Sequence, residues 1–121
     1  MDKKILMIDD QKEAKHITKD KYADNFSDKY FTDDEVSVVR TYQEGIEELK
    51  KGGYDTLLLD HDLREKHNGH DVLMWLESNP QYFPSKIALI TANLGVVGKM
   101  IAVLMNFEER GYIKEWGRIT I

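Results

Sequence analysis

Three consecutive leucines, Leu57-Leu58-Leu59, run straight into Asp60-His61-Asp62. A strand with no polar face must be covered on both sides, which is the situation of a central strand in a parallel sheet. The abrupt change of polarity puts three ionisable side chains at the carboxyl end of that strand, where open parallel sheets hold their ligands. Ile5-Leu6-Met7-Ile8 repeats the arrangement and ends in Asp9-Asp10. Any fold for this chain has to bury both runs and accommodate both acidic ends.

The rest of the chain alternates in type. Lys3 to Asp9 reads as the first strand, and Gln11 to Tyr22 as a polar helix with a thin buried stripe of Ala14, Ile17 and, at its end, Tyr22. Ala23 to Glu35 carries Phe26, Tyr30 and Phe31 among aspartates, fits no period, and reads as an insertion or irregular loop. Val36 to Val39 is a short second strand. Thr41-Tyr42-Gln43-Glu44 has the form of a capping box, Ile46 and Leu49 supply the helical stripe, and Gly52-Gly53 ends it. Beyond the leucine strand, a polar loop from Arg64 to His67 turns at Asn68-Gly69 into a third helix bearing Val72, Leu73, Trp75 and Leu76. Asn79-Pro80 stops that helix, because the residue before proline is driven out of the helical region. Ile87 to Ile90 is the fourth strand. A glycine-bearing loop, Leu94 to Gly98, then leads to a last helix near Lys99 to Glu109, with Met100, Val103, Leu104 and Phe107 buried. Arg118 to Ile121 reads as a short edge strand. Strands alternating with helices predict a parallel sheet with helices on both faces.

Composition narrows the function classes. At 121 residues the chain is expected to be a single domain, 1–121, large enough to bury roughly two-thirds of its unfolded surface. A charged fraction of 32% beside 41% hydrophobic residues argues against disorder, and a net charge of −5 against a general polyanion-binding surface. The absence of cysteine excludes disulfides, thiolate zinc sites and a cysteine nucleophile. Four apolar residues before Asp9 are too few for a signal peptide, and no run approaches a membrane span, so a cytoplasmic location is expected.

In a doubly wound sheet of order 2-1-3-4-5, strands one and three are neighbours, which brings Asp9, Asp10 and Asp60 together at the switch point. Two ionised carboxylates about 4 Å apart repel by roughly 4 kcal/mol at an effective dielectric of about 20. A bound dication removes that cost, and hard oxygen donors favour magnesium or calcium. Strand-end acids can also merely cap a helix, but acids on two adjacent strands favour a metal site. Thr91, ending the fourth strand, has a hydroxyl suited to a phosphoryl oxygen. The Gly95 to Gly98 loop could present amides to an anion beside Lys99, although its spacing is not that of a P-loop. His61 suits acid-base work, metal ligation or a structural hydrogen bond to the neighbouring carboxylates, and His70, at the start of the third helix, is a second candidate for the same cleft; His16 and His67 read as surface residues.

An acidic pair after strand one, an Asp after strand three and a hydroxyl after strand four resemble the receiver domain of response regulators. That resemblance implies Asp9 and Asp10 as magnesium ligands, Asp60 as phosphoacceptor and Thr91 as switch hydroxyl. The lysine that receivers carry at the end of strand five has no counterpart, Lys114 being poorly suited. A narrower resemblance covers more of the chain. Asp9-Asp10-Gln11-Lys12, Leu59-Asp60-His61-Asp62-Leu63, Asn68-Gly69-His70-Asp71-Val72 and Thr91-Ala92-Asn93, with Gly95, Gly98 and Met100, are similar to the receiver-derived family proposed to process cyclic phosphates. Ile90 and Thr91 stand where that family has His-Ser, and Lys99 where it has asparagine.

The expected architecture is therefore α/β, a single-domain doubly wound parallel sheet of flavodoxin or receiver type. Asp60, His61, Asp62 and His70 are expected as catalytic residues, Thr91, Asn93, Gly95, Gly98 and Lys99 as phosphate-binding, and Asp9, Asp10 and Asp60 as magnesium ligands. The implied partner is a phosphate-containing small molecule or a nucleic-acid end. Two other functions fit the same residues: a signalling receiver phosphorylated on Asp60, and a non-catalytic module docking a protein through its acidic face and the segment Phe26 to Phe31.

Overall fold

A computed structural model of the chain describes residues 5–10, 23–24, 36–91 and 98–120, with backbone placement only at positions 23, 24, 91, 119 and 120. In chain order these form β1 (Ile5–Ile8), β2 (Ala23–Asp24), β3 (Val36–Val39), α1 (Tyr42–Lys51), β4 (Thr56–Asp60) and α2 (Gly69–Ser78). A 3-10 turn at Pro80–Tyr82, β5 (Lys86–Thr91), α3 (Gly98–Glu109) and β6 (Glu115–Thr120) follow.

All six strands belong to one sheet in the order β2-β6-β5-β4-β1-β3. The five from β6 to β3 are mutually parallel, which is the expected 2-1-3-4-5 order; β2 runs antiparallel on β6. Two differences from the sequence reading lie at this end. The last strand starts at Glu115 rather than Arg118, and it is not an edge, because Ala23 and Asp24 pair with Ile119 and Arg118. A two-residue strand has no periodicity to betray it, and Gly117 interrupts the pattern of β6. The helix expected over 11–22 lies outside the described residues, as does 25–35.

Period-two geometry divides the strand residues between two cores. Leu6, Ile8, Leu57, Leu59, Ile87 and Leu89 meet the buried residues of all three helices: Ile46 and Leu49 from α1, Val72, Leu73 and Leu76 from α2, and Met100, Leu104 and Phe107 from α3. Val103 is only half-buried at the margin of this core. On the other face Ile5, Met7, Leu58, Ala88 and Ile90 cluster with Val36 and Val38. Leu57, Leu58 and Leu59 are each 0% exposed, the two-sided burial their polarity demanded. Each contributes roughly 1.5–3 kcal/mol relative to an exposed leucine.

The helices are seated by their ends. Thr41 Oγ1 accepts the Glu44 amide at 3.1 Å, while Glu44 reaches past the cap to accept the Arg40 amide at 3.2 Å. Gly52, at φ 77°, closes α1 in the left-handed region. For α2 the cap is Asn68, in a complete capping box: its side chain accepts the Asp71 amide, and the Asp71 carboxylate accepts the Asn68 amide at 2.9 Å. No helix among the described residues is long and apolar enough to cross a membrane.

Candidate functional site

The register of the central strands builds the site. Ile8 pairs with both Leu59 and Val39, so the next residues, Asp9 and Asp60, emerge side by side at the carboxyl ends of β1 and β4. Asp9 is fully buried. Its backbone is tied on both sides: its amide donates to the Val39 carbonyl at 3.1 Å, and Arg40 Nη1 donates to its own carbonyl at 3.2 Å. Asp9, Asp10 and Asp60 each offer a carboxylate oxygen, all within 4.8 Å of one another. At such separations each ionised pair costs several kcal/mol at an effective dielectric of about 20. Three hard oxygen donors and no sulfur or imidazole in the set fit magnesium or calcium.

The loop from His61 to Asn68 folds back over this cluster. The Asp62 amide points to Asp60 Oδ1 at 3.4 Å, and Asp62 Oδ1 accepts the Arg64 amide at 2.8 Å. That turn holds Arg64 at φ 55°, the one non-glycine residue with positive φ among those described, at a cost of about 1–2 kcal/mol. Arg64 Nε then lies 3.3 Å from Asp10 Oδ2. Buried Leu63 plugs the loop into the core. Farther along, Glu65 accepts the Tyr42 amide at 3.0 Å, and the His67 ring stacks on Tyr42 at a centroid distance of 4.4 Å. Burial, and secondarily the Asp71 carboxylate, hold the Tyr42 hydroxyl above the usual tyrosine range.

Beside the loop opens a cavity of about 300 Å³ lined by His61, Asn68, His70, Asp71, Lys99 and Met100. It lies between the end of β4 and the first turns of α2 and α3. Gly69 makes this junction possible. Its amide donates to the His61 carbonyl at 2.9 Å, and a Cβ on it would overlap the Asp60 carbonyl oxygen.

The expected residues thus fall into two adjoining groups. Asp9, Asp10 and Asp60 gather as carboxylates; His61, His70 and Lys99 share the cavity. Asp62 is exposed and shapes the loop turn. Thr91 ends β5 opposite Thr120, and Gly98 opens α3. Asn93 and Gly95 lie outside the described residues. Lys114 precedes β6, and its amide donates to Ser85 just before β5, at the other end of the sheet from Asp60.

Three participants had no role assigned from the sequence. Arg64 was only part of a polar loop, and nothing local announces a partner more than fifty residues away. Asn68 and Asp71 were legible in principle as an Asn-x-x-Asp variant of the capping box, hidden by the turn-like Asn-Gly dipeptide.

The fold has counterparts elsewhere. A family model described as a cyclic-phosphate processing receiver domain matches residues 4–106. Among solved structures the chain is similar to the signal receiver domain of a protein described as a Luxo repressor from Vibrio parahaemolyticus. That likeness has a TM-score of 0.55 at 18% identity, covers 98% of this chain and 78% of that one, and is one of fold. No curated protein sequence gives a significant match. With most of its length matched, the acidic strand ends included, the chain belongs to the cyclic-phosphate processing receiver family.

Proposed function

We propose that this chain binds and hydrolyses a phosphate ester, such as a cyclic or terminal nucleotide phosphate, with magnesium held by Asp9, Asp10 and Asp60. The observation that carries this reading is the adjacency of three carboxylates within 4.8 Å to a 300 Å³ cavity bearing two histidines and a lysine. Magnesium at the carboxylates would supply Lewis-acid polarisation of a phosphoryl oxygen and cancel the repulsion within the cluster.

The chain's own residues do the rest. Lys99, in the first turn of α3, offers a positive charge where a helix amino terminus already favours anions. Thr91, Asn93, Gly95 and Gly98 orient the phosphate oxygens. In hydrolysis the oxygen of a water molecule bonds to phosphorus as one ester P–O bond breaks. A neutral imidazole takes the water proton and an imidazolium protonates the departing oxygen; His61 and His70, both half-buried at the cavity wall, fill these two roles. Asp60 and Asp62 hold the loop that carries His61. Ile90, which the resemblance sets where the family has histidine, is sealed in the apolar cluster with Ile5, Met7 and Leu58, so this reading gives proton transfer to His61 and His70.

A panel of cyclic nucleotides and RNA ends, incubated with purified protein with and without magnesium, tests the proposal. Magnesium-dependent conversion of a cyclic phosphate to a monoester is expected, and its loss in His61→Ala. No turnover at any metal concentration removes the hydrolytic reading. A stable beryllofluoride adduct, abolished by Asp60→Asn, would instead favour phosphoacceptor signalling.

A further inference from the structure

We propose that Arg64 is a resident counter-ion of the acidic cluster, which a divalent cation must displace, so that this one side chain sets the affinity of the site for metal. The inference rests on the magnesium reading above. It starts from the 3.3 Å contact between Arg64 Nε and Asp10 Oδ2, which spends one of the donor carboxylates on a guanidinium. A guanidinium and a dication carry charge of the same sign, so they compete for the Asp10 carboxylate.

The exposures say which partner yields. The Arg64 side chain is 66% exposed and the Asp10 side chain only 15%, so the cation can swing into water while the carboxylate stays. Little else in the loop has to move. Leu63 remains in the core, Asp62 keeps the Arg64 amide, and Glu65 keeps the Tyr42 amide, none of which uses the guanidinium. The backbone supports an assigned role. Arg64 occupies a left-handed conformation that costs less for glycine or asparagine, yet the position carries a long cationic side chain directed at a residue of β1's end. Lys114 lies at the far end of the sheet, and Arg40 reaches the Asp9 backbone carbonyl, so among the described residues the ion pair made on a carboxylate of the cluster is that of Arg64 with Asp10.

The test is calorimetric titration of magnesium into the metal-stripped full chain at fixed ionic strength, for wild type, Arg64→Asn and Arg64→Lys. Asparagine tolerates the left-handed turn and removes the charge. The expected result is magnesium binding roughly three- to tenfold tighter in Arg64→Asn, the scale of one exposed ion pair, and near wild-type binding in Arg64→Lys. Saturating magnesium should raise the melting temperature of Arg64→Asn by more than that of wild type, because relief of backbone strain adds equally with and without metal and cancels from that comparison. Arg64→Gly, unstrained at this φ, carries the same expectation should the asparagine variant fold poorly. Unchanged or weaker magnesium affinity in a folded, uncharged variant overturns the counter-ion role alone. Absence of magnesium binding by wild type overturns the metal reading and this inference together.

Discussion

Replacing Gly69 by alanine tests the junction on which both halves of the site depend. Gly69 is the first residue of α2, and its φ is not positive, so backbone strain is not at issue. Space is. An added Cβ would overlap the Asp60 carbonyl oxygen and stand 3.1 Å from both the Asp60 carbonyl carbon and Met100 Cε. The methionine can yield, but the carbonyl belongs to a strand paired on both sides. Relief therefore requires α2 to withdraw from β4, stretching the 2.9 Å bond from the Gly69 amide to His61, a loss of about 1 kcal/mol. Overpacking adds about 1–3 kcal/mol, and the lower entropy of an unfolded alanine returns about 0.4–1 kcal/mol. The net expectation is a loss of about 2 kcal/mol, or a fall in Tm of roughly 6–10 °C. Urea unfolding of wild type, Gly69→Ala and Gly98→Ala reads it directly. Gly98 begins α3 with nothing within 4 Å of a built Cβ, so its alanine variant should be neutral or slightly stabilised. Equal stability of Gly69→Ala and wild type, or equal losses at both glycines, would refute the close-approach argument.

Two further perturbations follow from charge. Asp60→Asn should raise the melting temperature of the metal-free protein by a few degrees, because it removes repulsion among the three clustered carboxylates, and should abolish stabilisation by magnesium in the same assay. Glu48 accepts hydrogen bonds from Lys51 and Tyr54, both at 2.6 Å, which hold its carboxyl below the usual value of 4.5. A depressed carboxyl stabilises the fold above its unfolded value and loses that contribution as pH falls through the folded one, so Glu48→Gln should flatten the acid limb of a stability–pH curve. Tyr54 is raised, by burial first and by its bond to Glu48 second, so its contribution holds below pH 10 and fades above it. Glu48→Gln should weaken that alkaline limb too.

How far the sequence could be read depends on the kind of interaction. Leu57 to Leu59 were legible because a segment with no polar face has few places to go, and the convergence of Asp9 with Asp60 followed from strand order alone. Features that rest on a single long-range pairing were not legible. Nothing in Ala23-Asp24 marks two residues that will pair with Arg118 and Ile119, and Glu115-Trp116-Gly117 breaks the alternation that would have given β6 its true start. The Arg64 contact depends on a left-handed backbone at a residue type that rarely adopts it, so propensity pointed away from it. His61 and His70 were both expected near a cleft, and they share a cavity beside the close approach of Gly69 to Asp60.

The uniformity of the β4 run has its own consequence. Three identical side chains, all fully buried, give neighbouring strands no polarity by which to tell one alignment from the next, so the leucines bind β4 firmly without saying where it should stop. A slip of one position against β1 would carry His61 to the place of Asp60 and turn every side chain to the opposite face. Correct alignment must therefore be enforced from outside the run, by Leu63 in its socket and by the bond from Gly69 to His61. The parts of this chain that decide where the acidic end of β4 stands are a plug and a clasp just beyond the strand.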